Sequence, residues 1–193
     1  MREGNYMERI WVYLMAIQFS KEEMKRMEDL ISAFLGRTKI DYVVPVDIFK
    51  VATDLGFDVR GAEFEENLEG LIVVNEYIEK IEGFDSNKVI AYNCFKDINM
   101  KKFIVAHELA HYISEKANAY DKKIVIATRD HADGYSEDRE EQQMDYMAAS
   151  LLIPKNDLYQ FLEKNTGINV SEVAKRYKVT EEVAQRRIRE VQE

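Results

Sequence analysis

Apolar residues recur three and four positions apart over several stretches of this chain, the spacing of a helix with one buried face. The first is Met24, Met27, Leu30, Ile31 and Phe34. Ser20 ahead of it is a helix N-cap, with Glu22 and Glu23 favourable beside the positive helix end. Gly36 is expected to close that helix. Pro45 is expected to open a second one over 46–55, burying Ile48, Val51, Ala52 and Leu55 and ending at Gly56. From Phe57 the pattern changes to β-branched and aromatic runs bounded by Gly, Asn and Asp. These are 57–59, 70–74 and 88–95, which predict a small antiparallel sheet with a polar connection over 75–87. A short strand over 123–127 fits the same pattern.

Helical periodicity returns at Phe103, Ile104, Leu109 and Ile113, with Asp97 or Asn99 as cap and an end near 115 or 116. It returns again at Met144, Met147, Ala148, Leu151 and Leu152, where Pro154 stops the run. Three more capped helices follow, over 157–164, 171–177 and 180–191. The last two are joined by a tight turn and resemble a helix-turn-helix. The expected fold class is therefore α+β, with a core over 1–155 and a C-terminal helical segment over 156–193 packed on or docking beside it.

The helix around residue 107 carries the chemistry. It holds His107 and His111, two of the chain's three histidines. Four residues advance a helix by about 400°, so both rings leave one face at adjacent turns and can hold one tetrahedral Zn2+. Glu108 sits about 100° around that helix. Its carboxylate therefore falls beside the ion, where it can take a proton from water. A third ligand must come from elsewhere, because an extended motif would need Gly at 114 and His at 117, and those positions are Ser114 and Ala117.

The segment over 140–154 supplies it. Small residues Ala148 and Ala149 permit close helix packing, and Glu141 and Asp145 stand one turn apart. Glu141 is the expected metal ligand, with Glu140 as its neighbour in register. Asp145 is expected to accept the free ring N–H of a ligating histidine and fix its tautomer. Tyr112, Tyr146 and His131 are candidates to stabilise the reaction's oxyanion. Cys94 is expected in the core, with zinc capping as the other role open to its thiolate. The strand over 88–95 is expected to bind substrate as an added strand.

Composition narrows the function classes. A net charge of −9 and a pI near 5.0 argue against general polyanion binding. Residues 168–193 carry six Lys or Arg against five Asp or Glu, a weak balance for reading DNA. DNA contact through that segment is the lesser expectation beside protein docking. One cysteine excludes an internal disulfide and fits a reducing, cytoplasmic compartment. The apolar run over 10–19 is too short to span a bilayer and reads as a packed element, so no membrane partner is expected.

Two blocks of this sequence resemble the ImmA/IrrE metallopeptidases, a gluzincin-like family. Phe103-Ile-Val-Ala-His107-Glu108-Leu-Ala-His111-Tyr112 is similar to the family's Phe-Thr-x-Ala-His-Glu-x-Gly-His. Glu141-x-x-x-Asp145-x-Met-Ala-Ala-x-Leu-Leu-Ile-Pro154 is similar to its Glu-x-Glu-Ala-Asn-x-Phe-Ala-Ala-x-Leu-Leu-Met-Pro. Ala110, Gln143, Met144 and Asp145 depart from these patterns without removing a proposed ligand. The likeness spans most of 20–190, outside 115–138. It implies a zincin-like zinc endopeptidase with His107, His111 and Glu141 as ligands, Glu108 as general base, and a helix-turn-helix repressor as protein substrate. The alternative is a catalytically silent, metal-stabilised regulatory protein that acts by protein or DNA binding through its C-terminal helices.

Overall fold

The computed structural model describes residues 19–38, 40, 42–64, 68–117, 139–165 and 167–192, and the backbone of 124–130. Helix α1 (Lys21–Thr38) begins where Ser20 and Glu23 cap each other: the Glu23 amide donates to Ser20 Oγ and the Ser20 amide to Glu23 Oε2. It does not stop at Gly36. A Cβ at that position would meet nothing, so glycine is no constraint there, and the helix runs on to Thr38, whose hydroxyl bonds the Leu35 carbonyl. Helix α2 (Ile48–Asp54) starts later than Pro45, because the Asp47 carboxylate accepts from the Lys50 amide and sets the cap there.

Four strands form one sheet: β1 (Asp58–Ala62), β2 (Leu68–Asn75), β3 (Lys88–Asn93) and β4 (Ile124–Asp130), in the order β1-β3-β2-β4. The pairs β2/β3 and β2/β4 are antiparallel, whereas β1/β3 is parallel. The expected all-antiparallel sheet is therefore mixed. The chain leaves β1, passes over to β2, and returns as β3 into the space between them, which makes β1 and β3 run the same way. The interior position of β3 also corrects its expected role. Both of its edges are hydrogen-bonded, to β1 and to β2, so it has no edge on which to add a substrate strand. Among the described residues, the outer strands of the sheet are β1 and β4.

Helix α3 (Ile98–Ala117) crosses the sheet, capped by Asp97, whose Oδ1 accepts from the amides of Asn99 and Met100. Residues 103 to 110 are all buried, which needs neighbours on every side. The strands β2, β3 and β4 lie on one side, and α1, α2 and α4 (Arg139–Leu152) close the rest. Helices α5 (Lys155–Lys164), α6 (Val170–Tyr177) and α7 (Glu181–Gln192) complete the chain. Asn169 and Glu172 form the box that starts α6, and Lys178 ends it in the left-handed conformation at φ 54°.

These C-terminal helices share the central hydrophobic cluster: Val173, Tyr177, Ala184 and Val191 belong to the same packed set as Val105 and Leu109 of α3. The architecture is α+β, a zincin-like core with C-terminal helices. No helix of the described residues is long and apolar enough to cross a membrane. The apolar run over 10–19 lies outside the described residues except Phe19, which packs edge-on to Tyr146.

Candidate metal centre

The two histidines of α3 meet the first turn of α4 at one point. His107 Nε2 lies 3.1 Å from Glu141 Oε2 and 3.2 Å from His111 Nε2. His111 Nε2 lies 3.5 Å from Glu141 Oε1. Three donors bound at about 2.0–2.1 Å to one tetrahedral ion stand about 3.3 Å apart, the edge of that tetrahedron. The triangle thus has the size a zinc ion requires. Among the described residues, His107, His111 and Glu141 form the one group of three His, Cys, Asp or Glu able to hold a metal.

Proton positions follow from chemistry. Asp145 is 3% exposed, and its Oδ1 stands 2.8 Å from His107 Nδ1. A carboxylate only accepts, so Nδ1 carries the hydrogen and donates it, leaving the Nε2 lone pair turned to the cluster. When both rings are protonated, burial pushes the Glu141 carboxyl upward, but the His107 hydrogen bond and the charges of both histidines outweigh it and hold the group below the ordinary carboxylate range.

Glu108 is fully buried where α3 presses on β2. That approach depends on Gly70. A Cβ at Gly70 would stand 2.4 Å from Ile104 Cγ2 and 2.8 Å from Glu108 Oε1. Sequence reasoning passed over this residue, although a glycine inside a strand is a recognised mark of close approach.

The other candidates are placed elsewhere. The Tyr112 ring packs against Phe34 and Phe57, and its hydroxyl meets Lys88 Nζ at 3.1 Å. Tyr146 is 1% exposed and its hydroxyl donates to Glu28 Oε1 at 3.1 Å. Both hydroxyls thus bond partners outside the His-His-Glu cluster. His131 lies outside the described residues. Glu140 is exposed on the turn beside Glu141 and is not one of the three clustered donors. Cys94 is half-buried beyond β3, its Cβ beside Gly61 of β1, and is likewise not in the cluster.

Two of the α7 arginines, Arg186 and Arg187, turn toward the protein's own groups. Arg187 is fully buried, donating Nε to the Ile153 carbonyl at 3.0 Å and pairing with Glu28. Arg186 is turned to α4 and bonds the Gln142 carbonyl.

The family model for the IrrE N-terminal-like domain, a peptidase family, matches residues 63–189. The chain belongs to that family. The match runs from just before β2 to near the end of α7, so it takes in Glu108, all three clustered donors and the C-terminal helices. This is a metallopeptidase family, and its substrates are peptide bonds in proteins. A comparison with curated individual proteins finds no match.

Proposed function

We propose that this protein is a cytoplasmic zinc-dependent endopeptidase that cuts a helix-turn-helix transcriptional repressor. The observation that carries the zinc reading is the His107, His111 and Glu141 triangle, whose edges of 3.1 to 3.5 Å suit one tetrahedral ion. Zinc, when bound, supplies Lewis acidity toward a peptide carbonyl and makes water acidic enough to attack near neutral pH.

The remaining work belongs to the chain. Asp145 holds the His107 ring in one tautomer and one orientation. Glu108, one residue along from His107 and pressed against β2, takes the proton of the attacking water and hands it to the leaving amine. The substrate adopts an extended form along the outer side of β4, the last of the described strands, whose Arg129 pairs with Gly70, the residue beneath the base. An extended peptide running past the base along a strand edge is cut internally, which supports endopeptidase action. The repressor as substrate follows the family resemblance, and the single cysteine supports the reducing compartment.

The test is purified protein with its zinc content measured, mixed with helix-turn-helix repressors of the same cell, with and without EDTA. Unsubstituted protein should bind one zinc and cut the repressor, and EDTA should abolish the cut. Glu108→Gln should keep the zinc and lose about 10²-fold or more in cleavage rate. Undiminished cleavage by that variant would remove Glu108 from the reaction.

A further inference from the structure

The third ligand rides on α4, which packs on α3 and α1 and is also held by the last helix of the chain. Two consecutive arginines of α7 grip α4 at opposite ends. Arg187, fully buried, donates to the carbonyl of Ile153 just past the helix's final turn. Arg186 reaches the first turns, where its Nη2 donates to the Gln142 carbonyl at 3.4 Å and its Nη1 stands 3.9 Å from Asp145 Oδ2. Its Nε donates to Glu190 Oε1 at 2.9 Å, one turn along α7, which fixes the guanidinium from behind.

Asp145 is therefore held from two sides. Oδ1 accepts from His107 and Oδ2 faces Arg186, while the carboxylate itself is 3% exposed. A buried carboxylate with one side released could rotate away from the imidazole, and its charge would lose a compensating cation. A planar, permanently charged guanidinium suits this place, since it faces a carboxylate and a carbonyl at once.

We propose that Arg186 is a positioning residue of the metal centre: it orients Asp145, and through Asp145 the His107 ring, so that metal affinity depends on the C-terminal helix. The helix-turn-helix-like segment is then part of the catalytic apparatus rather than a separate docking module. This inference rests on the zinc reading of the His107, His111 and Glu141 cluster.

The experiment measures zinc affinity by chelator competition on the full-length protein, with a urea unfolding midpoint of the zinc-free form beside it. Arg186→Ala should bind zinc about ten-fold more weakly, the lower end of what loss of an outer partner of a ligand costs. Its zinc-free midpoint should fall as well, because the buried Asp145 charge loses a compensating cation, so affinity is compared on protein that remains folded without urea. Arg186→Lys, which keeps the charge, should recover most of the affinity, and Arg186→Gln, which keeps only a donor, should not. The cobalt(II)-loaded forms give a second readout, because a turned His107 changes the ligand-field absorption of Arg186→Ala. Affinities of Arg186→Ala and Arg186→Gln within about two-fold of the unsubstituted protein would overturn the inference while leaving the zinc site intact. Should Arg186→Ala fail to fold, the contrast between Arg186→Lys and Arg186→Gln decides it. Failure of the unsubstituted protein to bind zinc would instead overturn the zinc reading, and the inference with it.

Discussion

Replacing Gly70 with alanine tests whether the approach of α3 to β2 sets the position of the base. The added carbon would stand 2.4 Å from Ile104 Cγ2, 2.8 Å from Glu108 Oε1 and 3.3 Å from the Ala91 carbonyl oxygen. Carbon atoms in contact sit about 3.5–4.0 Å apart, so Ile104 must retreat by about 1 Å or more. Ile104 is fully buried, and the residues around it on α3 are buried too, so the retreat displaces the helix or forces an unfavourable rotamer. Overpacking of this kind costs about 1–3 kcal/mol of stability. The same carbon pushes on the Glu108 carboxylate, and misplacement of a catalytic group by about 1 Å costs about 10²-fold in rate. The triangle of His107, His111 and Glu141 lies on the next face of α3 and should still load zinc. Gly70→Ala should therefore retain zinc, show a lower urea midpoint and lose most of its kcat. A variant with unchanged kcat and midpoint would show that no tight contact exists there, and that Glu108 is not held by the strand.

Arg187→Ala should lower the urea midpoint by an amount equivalent to about 3–5 kcal/mol, because it leaves the Glu28 charge without its buried cation and opens a void beside Tyr146. A neutral result would place Arg187 outside the core. Asp157 ties α5 to α6 through the Tyr177 hydroxyl at 2.6 Å and Arg176 at 3.0 Å. Burial pushes its carboxyl upward, but those two hydrogen bonds win and hold it below its ordinary value of 3.8. A depressed folded-state pKa means that the stabilisation is fully present above that ordinary value and is lost as pH falls through the lower, folded one. The midpoint gap between the unsubstituted protein and Asp157→Asn should thus be constant near neutral pH and shrink below about pH 4. A gap that does not change with acid would contradict the sign.

Local signals made much of this fold legible. Ser20, Asp97 and Thr180 mark helix starts because a side chain that satisfies an exposed amide leaves a trace in one or two residues. Pro45 misled because Asp47 caps more strongly two residues on. The pairing of His107 and His111 with Glu141 was readable from helix-face spacing: four residues on one helix, and a carboxylate on a small-residue helix able to pack against it. Strand order was not readable. Whether β3 lies inside or at an edge depends on pairing with β1, set by contacts far apart in sequence. The direction of the α7 arginines was hidden for the same reason, since Arg186 and Arg187 look like a basic surface until α4 and α1 are placed against them.

The account depends most on one coordination sphere. Zinc K-edge X-ray absorption of the loaded protein measures it directly. The prediction is a shell of nitrogen and oxygen at about 2.0–2.1 Å with the outer-shell scattering of two imidazoles, reduced to one imidazole in His111→Ala. A sulfur contribution at about 2.3 Å, an imidazole count unchanged in His111→Ala, or no bound zinc would contradict it.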